Sequence, residues 1–139
     1  MKARLNCITI AVDALDRAQH FYEMIFDEKA AEVSDDLVLF SIDKHLSLVL
    51  ATRSDFDSYE AITGQTNAAP GTSECIMSLF LENEAAVDHL LEIAHTAGGT
   101  IAGPASTYGW GYAGYFRDPD GHQWECVFNE QVWQDMQAG

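Results

Sequence analysis

The chain has 139 residues, 47% of them hydrophobic and 21% charged, and 22 acidic against seven basic side chains give a formal net charge of −15. That size and mix suit one globular domain able to bury a core unaided, and the scarcity of Lys and Arg argues against nucleic acid or anionic membrane as partners. No apolar run approaches the ~18 residues of a membrane span, and Met1–Leu5 lacks a signal-peptide core, so a cytoplasmic location is expected.

Residues 5–12 are rich in branched side chains and read as a β-strand. Asp13 follows as a helix N-cap, and over 16–26 the residues Ala18, Phe21, Tyr22, Ile25 and Phe26 fall at the spacing of an amphipathic helix. There is room for a short strand at 28–34, and residues 37–42 and 45–51 form a hairpin around Asp43-Lys44. The small, polar stretch 52–73 is a connector with one helical turn at Phe56–Ile62, and its length leaves both a pocket cover and a dimer interface open as roles. Residues 74–81 are again a strand, Asn83 a cap, and Val87, Leu90, Leu91 and Ala94 the buried stripe of a helix stopped by Gly98-Gly99. Thr100-Ile101-Ala102 begins a short strand.

The order of events repeats. Laying Cys75-Ile76 on Cys7-Ile8 also places Leu90 on Tyr22 and Ile93 on Ile25 without a gap. Two βαβββ modules follow, about 3–51 and 74–129, within a single domain that ends in a short tail, 130–139. Cys7, Cys75 and Cys126 show no CxxC spacing and read as free thiols of a reducing compartment.

The second module closes on Gly114-Tyr115-Phe116-Arg117-Asp118-Pro119-Asp120-Gly121-His122-Gln123-Trp124-Glu125-Cys126-Val127-Phe128. Pro presets φ, the aspartates bond nearby amides and Gly accepts a positive φ, so Asp118–Gly121 is a hairpin turn. Strand alternation puts Gln123 and Val127 on the side of Glu125, with Trp124 and Cys126 on the other. Ahead of it, Tyr108-Gly109-Trp110-Gly111-Tyr112 is a Gly-aromatic stretch suited to a pocket rim, with packing against another module or subunit as the equal alternative.

The Asp-Pro-Asp-Gly hairpin, with Trp110-Gly111 before it and Trp124-Glu125 after it, resembles the closing hairpin of the vicinal oxygen chelate superfamily. That group holds glyoxalase I, extradiol dioxygenases and bleomycin-resistance proteins, and the likeness is nearest to uncharacterised glyoxalase-like members. The resemblance implies an α+β fold in which the two βαβββ modules form a cupped, partly open mixed β-barrel with a ligand site inside the cup. It names no reaction. In metal-binding members four ligands come one from each of four strands, and Glu125 stands at the fourth position. Cys7 falls at the first, the run Ser47–Leu50 offers no donor at the second, and the third is Cys75 or Ile76 according to register. Cys7, Cys75 and Glu125 would be an unusual soft–hard donor set, so no metal or other cofactor is expected. The histidines do not replace the missing donors: His20 and His89 sit beside helix stripes, His95 near a helix end, His45 at a turn, and His122, after the turn glycine, reads first as a brace of the hairpin and second as a catalytic group.

The expectation is therefore a metal-free small-molecule binder that forms a homodimer, with Cys7, Trp110, Tyr112, Gln123 and Glu125 on the ligand. Glu125, with a pKa raised by apolar walls, is the candidate general base. A metal-dependent lyase, isomerase or dioxygenase is the alternative.

Overall fold

The computed structural model describes residues 1–138. Contacts divide the chain into Met1–Ala69 and Pro70–Gly139.

The first unit runs β1 (Cys7–Val12), α1 (Leu15–Phe26), β2 (Glu32–Val33), β3 (Leu37–Ser41), β4 (Ser47–Thr52), α2 (Arg53–Asp57) and α3 (Glu60–Thr63). The second runs β5 (Ile76–Phe80), α4 (Glu84–Thr96), β6 (Thr100–Tyr108), β7 (Gly111–Arg117), β8 (Gln123–Phe128) and α5 (Glu130–Ala138). Each unit is thus a βαβββ module with one four-stranded mixed sheet, ordered β1-β4-β3-β2 and β5-β8-β7-β6. In both, the opening strand lies parallel to the last one (Cys7 opposite Ser47, Ile76 opposite Gln123), and the remaining pairs are antiparallel.

Each module buries one sheet face under its own helix. The stripe Ala18, Phe21, Tyr22 and Ile25 of α1 is buried, and Phe40 from β3 meets Tyr22 and Phe26 with ring centroids 6.2 and 5.7 Å apart. In α4 the buried residues are Val87, Leu90, Leu91 and Ala94. Beneath them Phe116 and Trp124 stack with centroids 6.1 Å apart, and a Cβ on Gly114 would come within 2.5 Å of the Leu91 side chain.

The two helical stripes and the two opening strands coincide at an offset of 69 residues, one more than the gapless overlay of Cys75 on Cys7. Ala18, Phe21, Tyr22 and Ile25 correspond to Val87, Leu90, Leu91 and Ala94, and Cys7 corresponds to Ile76, where β5 begins. The extra residue falls before β5, and Cys75 stays outside the strand.

Other expectations need correction. Asp13 does not cap α1: the N-cap is Ala14, without a side-chain bond, and an Asp13 carboxylate oxygen faces Arg53 Nε at 3.5 Å. The connector holds two short helices rather than one turn, the first capped by Thr52, whose hydroxyl accepts from Asp55 N at 3.2 Å. β6 extends to Tyr108, its Pro104 tolerated because β6 is an edge strand with irregular pairing. The tail is helical, started by Asn129, whose side chain accepts from Val132 N and donates to the Trp110 carbonyl.

Candidate functional site

The closing turn fixes the register of the site. Gly121 N donates to Asp118 O at 3.0 Å, and the Asp118 carboxylate accepts from Asp120 N and His122 N at 3.0 and 2.8 Å. Gly121 adopts φ 94°, and a Cβ there would meet the Gly71 backbone at 2.9 Å, so only glycine fits. From this turn Arg117 pairs with Gln123 and Tyr115 with Glu125, while parallel β5 sets Ser78 against Glu125 from the other side.

Glu125 therefore stands mid-strand on the open face, away from α4, flanked by two hydroxyls. Ser78 Oγ donates to Glu125 Oε1 at 2.8 Å, and Tyr115 Oη donates to Glu125 Oε2 at 2.6 Å. The bond to Glu125, with some burial added, pushes the Tyr115 phenol up to about 12, so it keeps its proton at neutral pH. Ile76 and Gln123 share the face, as does Val127, which is 1% exposed. Trp124 and Cys126 point to the helix side, where burial raises the Cys126 thiol to about 12.

The expected ligand residues do not all gather here. Gln123 and Glu125 share one face of one strand. Tyr112 is on the opposite face, its hydroxyl donating to Asp88 Oδ1 of α4 at 2.7 Å, a bond that raises its pKa. Trp110 lies in the β6–β7 turn, 53% exposed and stacked on Tyr108 at 4.6 Å, about 16 Å along the strand from Tyr115. Cys7 opens β1 in the first unit, exposed, with Sγ 3.8 Å from Thr9 Oγ1. Ser78 and Tyr115 were not anticipated. Tyr115 is legible in hindsight, since a hairpin that turns at 118–121 brings 115 opposite 125; Ser78 arrives through a non-local parallel pairing. Two surface hollows of about 400 and 360 Å³, at Leu91, His95 and Ile101 and at His20, Glu23 and Lys29, do not include Glu125.

Residues 4–126 match the family model described as Glyoxalase/Bleomycin resistance protein/Dioxygenase superfamily. The chain belongs to this superfamily. Solved structures with the same fold include a glyoxalase-related enzyme from Fulvimarina pelagi, 24% identical over 91% of this chain and 88% of that one, with a TM-score of 0.80. A hypothetical protein from S. aureus is 19% identical over 93% and 95%, TM-score 0.77. A lactoylglutathione lyase from Agrobacterium tumefaciens is 18% identical over 96% and 98%, TM-score 0.68. The search of curated proteins finds no match.

Against the superfamily's metal positions, the donors of this chain fit poorly. The 69-residue offset makes Ile76, an alkyl side chain, the counterpart of Cys7. The second position lies in β4, where Val49 occupies the place that Glu125 holds in β8. Glu125 itself has both oxygens engaged by hydroxyl donors. Among the described residues no three His, Cys, Asp or Glu side chains are grouped to hold a metal ion.

Proposed function

We propose that the protein binds a small organic molecule without a metal, against the open face of the second sheet. Glu125, Tyr115, Ser78 and Gln123 supply the polar contacts, and Ile76 supplies apolar surface. The observation that carries this reading is the state of Glu125: the position that the superfamily uses for a metal ligand is filled by a carboxylate held between two hydroxyls, and among the described residues no three His, Cys, Asp or Glu side chains are grouped to hold a metal ion. Such a carboxylate is preorganised to orient a ligand group, since its own rotamer is fixed by partners that need not move. Glu125 would also be the group to accept a proton if the bound ligand reacts.

Thermal-shift screening of wild type and Glu125→Gln against a library of small aromatic, cationic and anionic compounds tests the proposal. Compounds that stabilise wild type and lose that effect in Glu125→Gln are expected. Hits indifferent to the substitution, or no hit at all, would count against it. The reading keeps the protein a cytoplasmic homodimer, for which Tyr59 and Ile62, 51% and 78% exposed on or beside α3, offer apolar contact surface. Sedimentation as a monomer at micromolar concentration would reject the dimer.

A further inference from the structure

We propose that the Ser78–Glu125–Tyr115 cluster recognises a primary ammonium group on its ligand, an inference that rests on the small-molecule reading above. The argument is an inventory of protons. The single hydroxyl proton of Ser78 is committed to Glu125 Oε1, and that of Tyr115 to Glu125 Oε2. A carboxylate has no proton to give. Toward anything else on this face, all three side chains present lone pairs only.

At these three side chains a ligand acceptor, whether carboxylate, carbonyl or phosphate, would meet oxygen lone pairs without an intervening proton; the donors of the Gln123 amide stand two residues along the strand from Glu125. An ammonium group brings three N–H donors and a positive charge, and charge-assisted bonds to a carboxylate are the strong ones. The arrangement persists at neutral pH because the Tyr115 phenol, at about 12, stays protonated and keeps donating inward. No protein cation already neutralises the carboxylate: among the described residues Glu125 has no ion-pair partner, and Arg117 stands two residues beyond Tyr115, opposite Gln123. Ile76, 55% exposed and two residues before Ser78 on the same face, gives the apolar part of such a ligand a place to rest.

The test uses the full-length protein, ¹⁵N-labelled, titrated at neutral pH and physiological salt with benzylammonium, benzyl alcohol and benzoate. These probes share a ring and differ in donor and charge. Benzylammonium is expected to shift the amides of Ser78, Tyr115 and Glu125, with affinity at least about tenfold above the other two, and to lose that margin in Glu125→Gln. Ser78→Ala, which removes one acceptor and leaves the charge, should weaken it by less. Should benzyl alcohol or benzoate shift the same amides as strongly, the ammonium preference is wrong while the binding reading stands. Benzylammonium shifts spread over the acidic surface and unchanged in Glu125→Gln would overturn the proposal as mere counter-ion attraction. Silence from all three probes would overturn it too, leaving the thermal-shift screen to judge the broader reading separately.

Discussion

The two modules share a topology and differ in what their open faces carry. On the helix-covered side they are close counterparts: Phe40 and Phe116 occupy equivalent strand positions, each buried, each against aromatic neighbours. On the open side the positions equivalent to Ser78, Glu125 and Tyr115 are Thr9, Val49 and Leu39. One face has a hydroxyl–carboxylate–hydroxyl chain and the other has a valine between a threonine and a leucine. A repeated backbone determines which positions look outward; single residues at those positions determine whether the face can do chemistry. Burial under a helix constrains the inner faces to similar volumes, whereas the outer faces are free to diverge.

The comparison can be broken most severely through what the modules share. Phe40→Ala and Phe116→Ala should each cost about 3–5 kcal/mol, from lost burial plus a cavity the helix cannot fill. Urea unfolding measures this, and a small loss in one module only would show that the two cores are not equivalent. The unshared polar chain should weigh less. Tyr115→Phe removes one of two bonds to a part-buried carboxylate, worth about 0.5–1.5 kcal/mol. Ser78→Ala should cost less than that, and Thr9→Ala, its counterpart, should stay within about 0.5 kcal/mol.

A pH series sharpens the contrast further. The Tyr115 pKa is raised in the folded state to about 12 from an ordinary 10.0, so the hydrogen bond's contribution is complete below pH 10.0 and fades as pH rises toward 12. Ring-carbon NMR should follow this titration, and Glu125→Gln should return Tyr115 toward the ordinary tyrosine range. Tyr112, raised by Asp88 on the other face of the same strand, should not respond to that substitution. Thiol labelling gives the mildest probe: exposed Cys7 and Cys75 should react quickly, while Cys126, buried and raised to about 12, waits for unfolding.

Much of this arrangement was legible in the sequence, for identifiable reasons. The helical stripes, the Asn83 cap, the Asp118–Gly121 turn and the direction of Glu125 rest on local periodicity and turn chemistry, which the chain expresses directly. The gapless overlay is out by one because the Cys-Ile dipeptides and the pair Ile25 and Ile93 coincide at 68, whereas the buried stripes, which only packing reveals, coincide at 69. Helix α2 was hidden in a polar stretch whose helical start depends on the Thr52 cap. Tyr112 looked like a rim residue because aromatic composition does not reveal which face of a strand a ring takes; its alternation relative to Tyr115 and its reach to Asp88 decide that. Ser78 could not be found from local pattern at all, since it meets Glu125 across a parallel pair 47 residues apart in sequence.

The central claim is that Glu125 serves as a hydroxyl-held carboxylate and not as a metal ligand. Elemental analysis of protein purified without chelator tests this most directly. The account predicts no stoichiometric Zn, Ni, Fe or Mn, in wild type and in Glu125→Gln alike. A full equivalent of any of these in wild type, lost in Glu125→Gln, would contradict it.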